Sequence, residues 1–179
     1  MRIEIRFAGF GGQGIIKAGI ITAAAACLYD GKYAVQTQSY GPESRGSVCR
    51  SDVVISEEEI DFPKVTEPDI LVLMSQHAYD EYAKTVKKGG IVILDSDMVH
   101  DKGGNENIRI FRVPAMKIAE KIGKKIVANM VMLGALAAIT GVISKEAFKK
   151  SIKANFPEEA EELNLKAFEA GYEYGRKLL

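Results

Sequence analysis

Gly9, Gly11 and Gly14 form a G-x-G-x-x-G spacing between an apolar run ending at Ala8 and a helix-like run opening at Ile15. In that setting each glycine has a physical role. One permits the tight turn, one lets a phosphate approach the backbone, and one lets the helix pack closely on a sheet. The N–H groups opening the helix then face an anion favourably. A dinucleotide site also needs an acidic residue about 20 positions on, at the end of the second strand, to hold the ribose hydroxyls. Here that strand closes Val35-Gln36-Thr37-Gln38-Ser39 with no carboxylate, and Asp30 precedes it at the wrong edge of the sheet. An ordinary NAD site is therefore disfavoured. Two readings of Gly9, Gly11, Gly12, Gln13 and Gly14 stay open: close packing alone, or contact with an anion or diphosphate in an assembled complex.

A second loop, Tyr40-Gly41-Pro42-Glu43-Ser44-Arg45-Gly46, frames one arginine with glycine and proline. Arg45 can offer a bidentate fork to a phosphate or carboxylate, or it can pair with Glu43 as a solvated loop residue. Ser75, Gln76 and His77 follow a later strand and are candidates for the same crevice, His77 being read first as a helix-capping or surface residue. No catalytic constellation emerges. His77 and His100 have no evident triad partners, and neither HExxH nor GxSxG occurs. Cys27 and Cys49 stand apart with no CxxC, too few for an iron–sulfur cluster or structural zinc. Both are read as buried small hydrophobes in a reducing compartment.

Alternation and apolar runs place strands at residues 2–8, 33–38, 48–55, 70–74, 91–94 and 108–113. Helices are expected over 15–29, 77–87, 115–122, 128–140, 145–154 and 158–177. The last opens with Glu158, Glu159, Glu161 and Glu162 and closes on Arg176 and Lys177, matching its dipole. Strands buried on both faces and alternating with helices give an α/β fold: a Rossmann-like single domain over residues 1–179, with a largely parallel sheet, helices on both faces and a helical C-terminal part. Residues 126–143 are nearly all apolar, about the length of the shortest membrane spans. Asn129, Gly134, Thr140, Gly141 and the many alanines instead suggest a helix buried on several sides.

Acidic and basic residues balance at 24 each, so no global field draws nucleic acid or an anionic membrane. The apolar helices over 15–28 and 126–143 exceed what one sheet face covers, so isolated chains are expected to self-associate as homodimers or to be poorly soluble. Met1 leads directly into a strand with no signal-peptide core, which points to the cytoplasm.

The run Phe7-Ala8-Gly9-Phe10-Gly11-Gly12-Gln13-Gly14-Ile15, followed by Gln38-Ser39-Tyr40-Gly41-Pro42-Glu43-Ser44-Arg45-Gly46, resembles the gamma subunit of 2-oxoacid:ferredoxin oxidoreductases. Asn129-Met130-Val131-Met132-Leu133-Gly134 continues the likeness, which spans nearly the whole chain. The family usually has two glycines after the loop arginine, whereas Ser47 follows Gly46 here. The run Ala34-Val35-Gln36-Thr37-Gln38-Ser39-Tyr40-Gly41 looks most like the 2-oxoglutarate branch, called 2-oxoglutarate synthase; the pyruvate, 2-oxoisovalerate and indolepyruvate branches remain open.

The resemblance implies a complex that decarboxylates a 2-oxoacid, joins it to coenzyme A and passes electrons to ferredoxin. Thiamine diphosphate with Mg and [4Fe-4S] clusters are then expected on partner subunits, with none bound by this chain alone. The implied partners are thiamine-binding alpha and beta subunits, a ferredoxin-like delta subunit or domain, and ferredoxin. Gly9, Gly11, Gly12, Gln13, Gly14, Tyr40 and Arg45 become candidates for contact with a cofactor or coenzyme A, and no residue is expected to be catalytic.

Overall fold

The computed structural model describes residues 1–39, 48–104 and 106–179. Tyr40 and Arg45 lie outside the described residues. The first strand, β1 (Arg2–Phe10), leads through the glycine loop into α1 (Ile15–Ala24), which runs on as a π-helical turn over Ala25–Tyr29. Then come β2 (Tyr33–Ser39), β3 (Val48–Ser56), β4 (Ile70–Leu73), α2 (Gln76–Tyr82), β5 (Ile91–Asp95) and β6 (Arg109–Val113). Four helices close the chain: α3 (Ala115–Ile122), α4 (Ala128–Thr140), α5 (Lys145–Asn155) and α6 (Glu158–Lys177). The helix expected over 77–87 is shorter, giving way after Tyr82 to a 3-10 turn over Ala83–Thr85.

The six strands form one sheet in the order β2-β3-β1-β4-β5-β6. β1, β4, β5 and β6 pair in parallel, while β3 is antiparallel to both β1 and β2. Only β3 therefore runs against the others, and the sheet is largely parallel as expected. Its position matters for the site. In a dinucleotide fold the second strand lies next to the first, but here β3 fills that place and moves the end of β2 about 10 Å from β1. Topology and the missing carboxylate thus argue independently against an NAD site.

The sheet is covered unequally. One face supplies Ile5, Phe7, Val53, Ile55, Val72 and Ile93 to a core shared with α1, α3, α4, α5 and α6. The other supplies Ala8, Leu71, Leu73, Val92 and Leu94 to a smaller core under α2. The apolar segment at 126–143 is explained by α4, buried without interruption from Ala128 to Ala137. Gly134 lies against the Phe168 carbonyl and Gly171 against the Val131 carbonyl, so α4 and α6 touch backbone to backbone where no Cβ would fit. No helix is long and apolar enough to cross a membrane among the described residues.

One buried ion pair escaped the sequence. Arg6 and Asp52 are directly opposed on β1 and β3, with guanidinium–carboxylate bonds of 2.8 and 3.1 Å. Arg6 also donates to the Val65 carbonyl at 2.8 Å and lies over the Tyr82 ring, 5.1 Å from its centroid. The expected burial of both cysteines needs correction. Cys27 is exposed, because the π-helical turn directs Ala25 and Ala26 inward and leaves Cys27, Leu28 and Tyr29 outside. Cys49 is half-buried, and that burial pushes its thiol pKa up.

Candidate functional site

The glycine loop sits at the carboxyl end of β1, where open α/β sheets take their ligands. Its candidate residues separate into two groups. Gln13 is buried and committed to structure: its Oε1 accepts from the Phe10 N–H at 2.9 Å, and its Nε2 donates to the Met74 carbonyl at 2.8 Å. It thereby ties the loop to the end of β4. A Cβ on Gly9 would run into Gln13 Oε1 and the Ile15 side chain. Gly14 has φ 75° and is the residue before α1, and a Cβ there would meet the Asn129 amide. Asn129 donates from Nδ2 to the Gly14 carbonyl at 3.1 Å and accepts the Met130 N–H at 2.9 Å.

Gly11 and Gly12 are different. Both are exposed, and among the described residues nothing lies within 4 Å of the place a Cβ would take. Among the described residues no side chain caps the N-terminus of α1, which leaves its opening N–H groups suited to an anion. Close packing therefore accounts for Gly9, Gln13 and Gly14, while no described residue covers the backbone of Gly11 and Gly12.

Two clefts flank that bare backbone. The larger, 490 Å³, runs from Gly12 and Gly14 past Lys17 and Lys124 to Phe156 and the start of α6 at Glu159 and Asn164. Its wall is largely apolar with two ammonium groups and the carboxylate of Glu159, and Lys17 Nζ lies 4.9 Å from the Phe156 ring centroid. The smaller, 250 Å³, is bounded by Phe10, Gln13, Met74, Met116 and Lys125. Gly12 and Ile126 border both, and Ile126 is 68% exposed, an apolar ridge between them. A cavity of 620 Å³ opens on the opposite sheet face between α2 and β5–β6, lined by Tyr79, Val92 and Ile110.

Ser75, Gln76 and His77 do not join this site, since both clefts are bounded without them. Ser75 caps α2, accepting the Ala78 N–H at 3.2 Å. Gln76 holds the backbone of His100, accepting its N–H at 2.7 Å, and His77 is exposed. Asp30 likewise serves the scaffold, accepting the Ser144 N–H and Oγ–H, each at 2.7 Å, at the start of α5.

The sequence reading also passed over Asp95, at the carboxyl end of β5. It is fully buried, its Oδ1 accepts the Asp97 N–H at 3.0 Å, and its Oδ2 has no hydrogen-bond partner among the described residues. Burial pushes its pKa up to about 6, against the pull of that N–H. Among the described residues no cluster of His, Cys, Asp or Glu is placed to hold a metal ion.

Residues 4–174 match the family described as pyruvate ferredoxin/flavodoxin oxidoreductase. The chain belongs to this family. It is 54% identical to the 2-oxoglutarate synthase subunit KorC of Methanocaldococcus jannaschii, over 99% of this chain and 96% of that one. It superposes on the keto/oxoacid ferredoxin oxidoreductase gamma subunit of Geobacter sulfurreducens with a TM-score of 0.87 and 45% identity, covering 97% of this chain and 98% of that one. A third relative is the 2-oxoglutarate:ferredoxin oxidoreductase of Magnetococcus marinus, solved with 2-oxoglutarate, coenzyme A and succinyl-CoA bound. There the TM-score is 0.85 and the identity 27%, over 99% of this chain but only 31% of that longer one. The chain is a gamma-type subunit of a 2-oxoacid:ferredoxin oxidoreductase, part of a multisubunit enzyme.

Proposed function

We propose that this gamma subunit serves a 2-oxoglutarate synthase in the cytoplasm, and that its glycine loop helps enclose coenzyme A. The observation that carries the substrate is the 54% identity, over nearly the full length of both chains, to a 2-oxoglutarate synthase subunit. The complex would convert 2-oxoglutarate and coenzyme A to succinyl-CoA and carbon dioxide, passing two electrons to ferredoxin. Thiamine diphosphate with Mg would supply the carbanion chemistry and [4Fe-4S] clusters the electron path, both on the alpha, beta and delta-type partners. Cys27 and Cys49 are the only thiols in this chain, two where such a cluster needs four, so no step is assigned to it here.

For coenzyme A the support is local. Gly11 and Gly12 leave backbone bare, α1 opens with available N–H groups, and Lys17 and Lys124 line the adjoining cleft. That combination suits a phosphate followed by an uncharged pantetheine arm. Arg45 and Tyr40, from the second loop, are proposed to complete the enclosure. The test is steady-state kinetics of the purified complex with 2-oxoglutarate, pyruvate and 2-oxoisovalerate at saturating coenzyme A. We expect kcat/KM for 2-oxoglutarate to exceed the others at least tenfold. Equal use of pyruvate would overturn the substrate reading while leaving the family intact.

A further inference from the structure

The sheet face under α2 is only partly roofed. α2 stops at Tyr82, and the connection from β5 to β6, residues 96–108, carries no helix among the described residues. Val92 and Ile110 therefore line the 620 Å³ cavity instead of meeting a second helix. That volume lies within the range of small-molecule sites, about 300–1,000 Å³. The walls are tied in place. Gln76 Oε1 accepts the His100 N–H at 2.7 Å, and the Tyr79 hydroxyl oxygen accepts the Lys102 N–H at 3.0 Å, so the connection is fastened to α2. Asp101 accepts the Gly103 N–H at 2.9 Å and holds Arg112 by bonds of 2.8 and 2.6 Å, so it is fastened to β6 as well. A cavity held open in this way spends little binding energy on ordering its walls.

The charges around it do not balance. Lys84 and Lys102 both line the cavity, and among the described residues neither ammonium has an ion-pair or hydrogen-bond partner. One carboxylate, that of Asp80, lines it too, and this group already accepts from Gln76 Nε2 at 3.1 Å. Two ammonium groups against one carboxylate leave the lining with a single positive charge in excess. The Tyr79 hydroxyl is used as an acceptor, and its own proton has no acceptor among the described residues. The rest of the lining is apolar, from Ala83, Val92, Ile108 and Ile110.

We propose that this cavity is a ligand site for a small monocarboxylate with an aromatic or branched apolar body. The body covers Val92, Ile108 and Ile110, and the carboxylate is met by Lys84 and Lys102, with the Tyr79 O–H as a further donor. One negative charge answers the single excess positive charge. A compact dianion such as 2-oxoglutarate carries a second charge and leaves the apolar floor uncovered. The cavity lies across the sheet from the glycine loop, so its ligand and the occupant of that loop do not compete for space.

Calorimetric titration with 3-phenylpropionate, on the full-length chain and on the assembled complex, tests the proposal. We expect one site per chain, with affinities in the two preparations agreeing within about threefold. Two further compounds separate body from charge: 3-phenylpropionamide keeps the ring without the charge, and 2-oxoglutarate keeps charge without the ring. Each should bind at least tenfold more weakly, about the value of one charge-assisted bond or one buried ring. Lys84→Ala combined with Lys102→Ala should weaken the probe at least tenfold, and Lys153→Ala on α5 should not. Ala83→Phe, with folding checked by circular dichroism, should abolish binding by filling the cavity. Amide shifts in spectra of the isolated chain should centre on Ala83, Gly103 and Ile110. Shifts centred on Gly12 and Ile126 would assign the probe to the glycine-loop clefts and overturn the proposal. So would absence of binding, equal affinity for the amide, or full affinity in the double lysine variant. Binding by the isolated chain that vanishes in the complex would also overturn it, because a partner subunit would then fill the cavity.

Discussion

Asn129, at the start of α4, donates its side-chain amide to the carbonyl of Gly14, 3.1 Å away and 115 residues earlier. The same amide occupies the space that a Cβ on Gly14 would need, and Gly14 holds a left-handed φ of 75°. Gly14→Ala should therefore lose about 2–4 kcal/mol, from backbone strain and overpacking together. Asn129→Ala should lose about 1 kcal/mol, since the Gly14 carbonyl keeps the Ala18 N–H as a donor. Urea unfolding of both variants checks this, and a Gly14→Ala protein as stable as wild type would refute the lock.

The loop should answer differently at its other glycines. Gly9→Ala pushes on Gln13 and Ile15 and should cost about 1–3 kcal/mol. Gly11→Ala meets nothing among the described residues and should leave stability within about 0.5 kcal/mol. In the assembled enzyme, however, Gly11→Ala should raise KM for coenzyme A severalfold. An unchanged KM would remove this glycine from the coenzyme A enclosure.

The Arg6–Asp52 pair gives a stability test away from the site. Both groups are buried, so Asp52→Ala leaves an uncompensated guanidinium and should cost about 3–5 kcal/mol. Replacing both with leucine should cost much less than the two single changes added together. Simple additivity would mean that the pair is not coupled.

Asp95 makes a pH-dependent contribution of definite sign. Its folded pKa, about 6, lies above the ordinary carboxylate value of 3.8, so the folded state binds this proton more tightly than the unfolded chain. Its contribution is most favourable below pH 4 and is lost as pH rises through 6, a change of about 3 kcal/mol. Unfolding free energies at pH 4 and pH 7.5 should show this loss in wild type and not in Asp95→Asn, whatever the variant's constant offset. Parallel curves would place the carboxyl at an ordinary pKa.

Arg45→Ala is expected to weaken coenzyme A or 2-oxoacid use about 10- to 150-fold, the value of a charge-assisted bond of roughly 1.5–3 kcal/mol. Arg45→Lys should recover only part of it, because an ammonium cannot form the bidentate fork. Kinetics of the reconstituted complex, varying each substrate separately, decide the matter. Unchanged constants for both substrates would return Arg45 to the solvent.

Local pattern exposed much of this architecture. The alternation and apolar runs located the six strands of the described residues, and the charge gradient of α6 marked both its ends. Features set by distant partners stayed hidden. Nothing around Val48 says that β3 will insert beside β1 and displace β2, since that depends on pairing across the sheet. Arg6 and Asp52 look like ordinary polar positions until register places them opposite each other. The π-helical turn, which brings Cys27 outside, widens a run that helical periodicity treats as regular. At the site, the spacing found the glycine loop but could not divide it. Which glycines are packed and which are bare depends on Gln13 and Asn129, and the latter comes from the other half of the chain.

The contact between α4 and α6 has a consequence for the order in which this protein becomes competent. Asn129 locks the glycine loop, and α4, which carries it, is seated backbone to backbone on α6, residues 158–177. During synthesis the loop leaves the ribosome well before the helix that fixes its lock. A nascent or C-terminally truncated chain therefore has its glycines but not their final shape. The loop reaches its finished shape only once residues 158–177 have been made, which keeps incomplete copies of this chain from presenting it.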